Sequence, residues 1–538
     1  MSMKKYLLLA CGIMMSFTAQ AQNFETAKES VKNMGVGWNL GNTLDACSGS
    51  AQGLESETYW GQPVTHPELL KMMKEAGFGA IRVPVTWYNH MDTNGKVDEA
   101  WMKRVHEVVD YVIDQGLYCI INVHHDTGDG KQWLHASTKT YNSMKSKYVG
   151  LWKQIAEEFK DYDQKLLFEA YNEMLDDKNT WNEPADKTDG YNAINSYAES
   201  FVTTVRGTGG NNKQRNLIVN TYSASSTANA MKNLALPEET GHIIFQIHSY
   251  PNWKSKSNAK SEIDNLITNI KNNLIKRAPV IIGEYATFTT WPSTIDYYDT
   301  DRTVALYAMD YLIRQTKAAG IGTFYWMGLS DGFYRSEPAF NQPDLAETLI
   351  KAYYGSSDNY KFPTHDSSKG TVVFEGEKTL DWGQAVTVQA TSLADIGNKV
   401  EVELTYKLDY TDYDDMQFLY NKGGWQKFTG GLSMDGQAFE GADFSASGAY
   451  GIQSGDTKTS VLTFDDAAFA LASKNDLIIQ GHGVVMTKVV VKAPQASGIN
   501  NVTIYQSSDH TFYNLQGQRI AKPRKGLYIQ NGRKLIAK

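Results

Sequence analysis

From residue 35 to residue 326 the chain repeats one pattern: a short apolar run, then a longer stretch able to hold a helix. The runs fall at residues 35–40, 80–84, 117–124, 166–172, 216–221, 243–250, 280–284 and 322–326. Short runs that are apolar on both faces read as strands of a sheet buried on both sides. Strands alternating with helical segments imply a parallel sheet, and eight of them imply a closed (β/α)8 barrel of the TIM type. The helices carry their own punctuation. Residues 67–76 open on proline and stop before Gly77, residues 99–115 are amphipathic and stop before Gly116, and residues 302–319 precede Gly320. An open doubly wound sheet is the alternative, but it would not place polar residues at the C-terminal end of almost every strand.

Past a closing helix over 344–354 the pattern changes. Residues 355–370 are rich in Ser, Asp, Gly and Lys and read as a break in the fold. The barrel domain is therefore placed at 22–357 and a linker at 358–370. Residues 371–495 show short alternating runs, such as 385–390, 400–408 and 476–491, which predict an all-β sandwich of jelly-roll type. The tail, 496–538, can form a few small strands but is too short for a core of its own without docking.

The N-terminus has Lys4 and Lys5, an apolar stretch over 6–17, and the small-x-small triplet Ala19-Gln20-Ala21. Residues 1–21 thus read as a signal peptide, and the expected location is secreted or cell-surface. A rival reading takes Leu8-Leu9-Ala10-Cys11 as a lipoprotein box with a lipidated Cys11, which would give outer-membrane or cell-surface association. Cys119 sits in an apolar strand, so a free buried thiol is expected ahead of a disulfide with Cys47. No later segment approaches the ~18 apolar residues of a membrane span.

The net charge of −8 is uneven: residues 511–538 carry seven Lys or Arg and no acid, so the body is more acidic still. An acidic body argues against nucleic acid as partner and is neutral toward uncharged polysaccharide. A monomer is expected.

Two of the runs end in a glutamate. Leu166-Leu167-Phe168-Glu169-Ala170-Tyr171-Asn172 leads into Glu173, and Pro279-Val280-Ile281-Ile282-Gly283 leads into Glu284. The C-terminal end of a barrel strand is where catalytic groups sit, and two carboxylates suit glycosidic bond cleavage. Taken together, the strand ends present Arg82, His124, Asn172, Glu173, His248, Tyr250, Glu284 and Trp326. This set, in this order, resembles glycoside hydrolase family 5. The segments Gly37-Trp38-Asn39-Leu40-Gly41-Asn42-Thr43-Leu44-Asp45-Ala46, Arg82-Val83-Pro84-Val85-Thr86-Trp87 and Asn122-Val123-His124-His125-Asp126 fit its fourth subfamily. The resemblance covers about residues 24 to 355.

The resemblance implies that Glu173 is the acid/base and Glu284 the nucleophile of a retaining hydrolase. It also implies that Asn172 binds the 2-hydroxyl, Trp326 floors the cleavage point, and His124 and His248 fix hydroxyls and orient Glu173. Physical chemistry agrees: Arg82 and the Tyr250 hydroxyl can favour the ionised form of Glu284, whereas burial near a second carboxylate favours a protonated Glu173. Glu169 reads as an internal polar anchor. Trp38, Trp87, Trp133 and Trp253 are open between sugar subsites and packing. The tripeptide Asn182-Glu183-Pro184 matches the family's usual signature string, but it follows a polar, loop-like stretch, so position on the strand favours Glu173 despite Met174 after it. The triplet His124-His125-Asp126 cannot converge on one ion from an extended strand, so no metal and no cofactor are expected.

The C-terminal module looks like carbohydrate-binding jelly rolls, with Trp382, Trp425 and Tyr450 as candidate stacking rings; a spacer is the alternative. The tail resembles sorting segments of Bacteroidetes-type secreted proteins. The expected activity is a secreted, retaining endo-β-1,4-glucanase acting on cellulose-like, mixed-linkage or xyloglucan β-glucans. Its rivals are a mannanase or xylanase on the same scaffold and a catalytically silent glycan-binding protein.

Overall fold

The computed structural model describes residues 24–493 apart from 48–52, 129–132, 239–240, 252, 288–301, 365–369, 395 and 397–399, together with the backbone of four short strands between 512 and 537. The signal-peptide reading of 1–21, Cys11 included, lies outside these residues. Among the described residues no helix is long and apolar enough to cross a membrane.

Eight parallel strands form a closed barrel: β1 (Val36–Asn39), β2 (Ala80–Val83), β3 (Tyr118–Asn122), β4 (Leu166–Glu169), β5 (Leu217–Asn220), β6 (Ile243–His248), β7 (Val280–Tyr285) and β8 (Ile321–Tyr325). Each pairs with the next, and β8 returns to β1. All eight runs expected from the sequence are strands. The helices start where their caps dictate: Pro67 and Pro343 occupy first turns of Pro67–Glu75 and Pro343–Tyr354, and Asp98, Ser137, Asp186 and Ser255 accept backbone N–H bonds at the starts of four others.

The strand period of two sorts the barrel interior into layers. Ala80, Ile120, Leu167, Ile218, Ile244, Ile281 and Phe324 form an apolar lower cluster, closed by Ala27 and Val31 of the N-terminal helix Ala27–Asn33. Two residues further along the same strands come Arg82, Asn122, Glu169, Asn220, Gln246 and Gly283. The core thus turns polar one layer below the C-terminal rim, and Glu169 is the internal anchor expected of it.

β7 breaks this alternation. Its register shifts between Ile282 and Tyr285, and its pairing with β6 shifts so that His248 lies opposite Glu284. With strict alternation Gly283 faces inward and Glu284 outward; the irregularity turns Glu284 into the barrel. At β4 the regular strand ends at Glu169, short of the expected 172. The Ala170 N–H still bonds Ile218 O and the Asn172 N–H bonds Val123 O, so Asn172 and Glu173 project from a tethered continuation of the strand.

By contacts the chain divides into two units near residue 365. The segment expected as linker begins as part of the barrel unit: Tyr360 and Phe362 pack on the barrel core, and Phe340 N–H bonds Pro363 O. In the second unit, residues 371–492 form two antiparallel sheets. One contains β10 (Val386–Val388), β18 (Leu477–His482), β12 (Asp415–Asn421) and β13 (Trp425–Lys427), with β16 (Asp443–Phe444) on β12. The other runs β15 (Gln437–Ala438), β14 (Leu432–Met434), β17 (Thr457–Phe464), β11 (Glu401–Leu408), β19 (Val484–Lys492) and β9 (Thr371–Thr379). Both contribute to one core. The run expected at 476–491 is two strands in different sheets, broken at Gly483, whose φ of 66° favours glycine. Three helices, Ala390–Ala394, Ala446–Tyr450 and Asp466–Asn475, were not visible in the alternation. The tail forms a small antiparallel sheet over Phe512–Tyr513, Arg519–Ile520, Gly526–Gln530 and Arg533–Ala537.

Candidate active site

Arg82 organises the polar layer. Its Nε and Nη2 donate to the two oxygens of Glu169 at 2.6 and 2.8 Å, and Nη1 donates to Glu284 Oε1 at 2.7 Å. Asn39 Oδ1 and Asn172 Oδ1 accept the remaining bonds, each at 2.9 Å. The guanidinium is fully buried, so only two carboxylates can hold its charge there. Burial opposes that charge, but Glu169 and Glu284 outweigh it and raise the Arg82 pKa. Burial likewise acts against an ionised Glu169, yet Arg82 holds its carboxyl below the ordinary range.

Glu284 has one oxygen on Arg82 and the other accepting from the Tyr250 hydroxyl at 2.6 Å. Burial and the neighbouring Glu173 still raise its pKa above the ordinary value, against the downward pull of His248, Arg82 and Tyr250. Arg82 and Tyr250 do favour the charged form as expected, but in a site this dry desolvation is the larger effect.

His248 places Nδ1 2.8 Å from Glu173 Oε1. Burial drives its pKa down to about 4, so the ring is neutral at neutral pH. Gln246 Nε2 lies 3.3 Å from His248 Nε2, and with the amide in this orientation the ring proton sits on Nδ1, facing Glu173. Ligating atoms of Glu173, His248 and Glu284 lie within 4.8 Å of one another, so the two carboxylates are near neighbours. His124 stacks parallel to Trp326 at 6.0 Å between ring centroids, and burial lowers its pKa well below the ordinary value. Gly41 makes room for that tryptophan, because a Cβ there would meet the indole at 2.8 Å.

Seven of the eight residues expected from the strand ends, all but Arg82 beneath them, line one cleft of about 760 Å³. His125, Trp181, Asn182 and the segment Ser223-Ala224-Ser225-Ser226 also line it and were missed. Their loops are built by contacts distant in sequence. Asp176 accepts N–H bonds from Lys178, Thr180 and Ala185, and Ser223 Oγ accepts from Asn182 N–H. Ser223 and Ala224 hold φ of 49° and 48°, uncommon for residues with a Cβ. A serine-rich stretch after the fifth strand was the only signal available.

The loop carrying Asn182-Glu183-Pro184 is therefore fastened, contrary to expectation. Glu183 nevertheless turns away to Lys187 and Asn229 and is not among the cleft residues. The four open tryptophans resolve toward packing. Trp38, Trp87 and Trp253 are buried, with the Trp38 and Trp87 indoles donating to Met327 O and Asn122 O. Trp133 donates to Asp126 and lies under the Lys147 ammonium. Cys119 is a buried free thiol and Cys47 is unpaired as well. The His124-His125-Asp126 triplet does not converge, although His124 and His125 approach Asp45. Burial raises Asp45 to about 6, and its Oδ2 lies 3.8 Å from His125 Nε2.

A closed parallel barrel with two adjoining glutamates at its C-terminal rim, one clamped by arginine and tyrosine and one beside histidine, defines a barrel glycosidase. Residues 43–331 match the model of the cellulase family, glycosyl hydrolase family 5. The chain belongs to that family and is a glycoside hydrolase. It is 36% identical to endoglucanase A of Ruminococcus albus over 58% of this chain and 85% of that protein. It is equally identical to endoglucanase B of Neocallimastix patriciarum, of which it spans 66%. Among solved structures, a broad-specificity endoglucanase from an uncultured bacterium is 52% identical, with a TM-score of 0.59 over 62% of this chain and 96% of that one. A family 5 enzyme of Prevotella bryantii, solved with a xyloglucan tetradecasaccharide, is 41% identical, with a TM-score of 0.58 over 61% and 99%.

Proposed function

We propose that the chain is a retaining endo-β-1,4-glucanase that uses Glu284 as nucleophile and Glu173 as acid/base. The observation that carries this is the different fastening of the two carboxylates. Glu284 has both oxygens engaged by donors, Arg82 and Tyr250, which hold an oxygen in place for attack on the anomeric carbon. Glu173 meets a neutral histidine at 2.8 Å and is the more exposed of the two, as a group that exchanges protons with leaving group and water needs to be. Glu284 attacks as Glu173 protonates the leaving oxygen; Glu173 then deprotonates the water that releases the sugar, with net retention. Asn172, fixed through Oδ1 to Arg82, is free to offer its amide N–H to the 2-hydroxyl, and Trp326 supplies the stacking floor.

Endoglucanase relatives and a neighbour holding xyloglucan support a β-glucan substrate, cut internally. In the same proposal the chain acts as an exported monomer at or beyond the cell surface, on the strength of residues 1–21. The test is proton NMR of anomeric signals early in hydrolysis, on a panel of cellulosic glucan, mixed-linkage glucan, xyloglucan, xylan and mannan. β-Anomer must appear first and on the glucans. α-Anomer first would overturn the roles of Glu173 and Glu284, and turnover confined to xylan or mannan would overturn the substrate.

A further inference from the structure

In the second unit, the sheet containing β12 and β18 has one face in the core and one outside it. Met416, Phe418, Leu477 and Ile479 belong to the core cluster, so the alternate residues Gln417, Leu419, Ile478 and Gln480 lie on the opposite face. That face has an ordered polar centre. Gln480 Nε2 donates to Gln417 Oε1 at 3.2 Å, and Gln480 Oε1 accepts from Gly383 N–H at 3.1 Å. Both glutamines are only 8% exposed, yet the Gln417 amide nitrogen meets no partner among the described residues and is not sealed from solvent.

Large rings stand open around this pair. Trp382, next to Gly383, is 49% exposed. Trp425, on β13 opposite Asn421 and so on the same face as Gln417, is 43% exposed. Tyr413 is 49% exposed and lies tilted by 31° against His482, with 4.6 Å between ring centroids; His482 continues the Ile478–Gln480 row. By contrast Tyr450, the other ring singled out in the sequence, packs against the module's core and donates to Asp435. From the Gln417 row to the Trp425 row is four residues, about 13 Å along the strands, and from β18 to β13 is two spacings, about 10 Å. The rings therefore sit along a diagonal longer than one sugar.

The charges on this face exclude an acidic ligand. Lys427 is paired with Asp443 at 2.9 Å, and Asp415 adds a further acid, so the surplus there is negative. Flat open rings suit the apolar faces of an all-equatorial sugar, and amides between them suit its hydroxyls. We propose that this face is a second glycan site, separate from the barrel cleft, and that it takes a neutral β-glucan chain with Trp382 and Trp425 as stacking platforms and Gln417 as hydroxyl donor. The choice of glucan rests on the proposed activity of the barrel; the site itself rests on the sheet.

The test compares the full chain with its Trp382→Ala/Trp425→Ala and Gln417→Leu variants in two measurements. The first is turnover of cellotetraose, which reads only the barrel. The second is retention on insoluble cellulose and retardation in gels containing hydroxyethylcellulose or polygalacturonate. The proposal expects unchanged cellotetraose turnover, with retention on neutral glucan weakened about tenfold or more by the double variant and less by Gln417→Leu. It is overturned if both variants bind neutral glucan as the parent does, or if polygalacturonate retards the parent as strongly. If the parent does not turn over cellotetraose, the activity proposed for the barrel fails, while the binding comparison still decides the second site.

Discussion

At the scale of single residues, the site depends on how unequal environments divide two identical carboxyl groups. Glu284 must be ionised to attack, yet burial raises its pKa above the ordinary 4.5. On the acid side, kcat/KM should therefore fall through a pKa higher than that of a free glutamate, because the free enzyme loses the charged form as pH drops. Tyr250 is one of the groups holding that pKa down. Tyr250→Phe should move the acid limb of the profile to higher pH, as well as lowering the rate. A limb that stays in place or moves to lower pH would show that the hydroxyl does not stabilise the charged form. The neutral state of His248 follows from the same dryness, since a second buried cation next to Arg82 would have only the same few carboxylates to share.

At the scale of elements, strand ends and the loops beyond them decide which glutamate can work. Glu173 projects from a tethered continuation of β4, whereas Glu183 is spent on an ion pair and an amide at the surface. Glu173→Ala should cut turnover of polymer by on the order of 10⁴-fold, as loss of one member of a catalytic unit does. Glu183→Ala should stay within about twofold of the parent, as for an exposed pair. Initial rates on soluble β-glucan, with melting curves to check folding, separate the two, and the reverse ranking would sink the assignment. The loop after β1 contributes through an absence. Gly41→Ala should displace the Trp326 ring and lower kcat/KM by up to about 100-fold, since errors near 1 Å are costly at the point of cleavage. Steady-state kinetics check it; an unchanged kcat/KM would mean that the indole has slack.

At the scale of the whole molecule, the described residues that line the cleft and fasten its loops lie in the barrel unit. A chain ending at residue 364 keeps Tyr360 and Phe362 in their packing on the barrel and should retain its specific activity on soluble β-glucan. The solved relative from an uncultured bacterium matches over 96% of its length while spanning 62% of this chain, consistent with a barrel that stands as a unit. Ending the chain at 357 instead removes those two aromatics and should lower the melting temperature. A folded but inactive 364-residue form would refute this division of labour.

The sequence by itself determined the elements of the barrel and their order, because the signals are local. Apolar runs, an opening Pro67 and a closing Gly116 act within a few residues of one another. It also named seven of the residues that the cleft collects, since a strand end is a position readable in one dimension. The tertiary structure decided the rest, through contacts far apart in the chain. It showed Glu284 turned inward by an irregular register of β7, which alternation alone would have pointed outward. It brought in Ser223 and Asn182 through a bond between two loops, sent Trp38 and Trp87 into the core, and set the direction of the Glu284 pKa. That direction depends on how much water the surrounding strands exclude, and water exclusion is a property of the closed barrel that no segment carries alone.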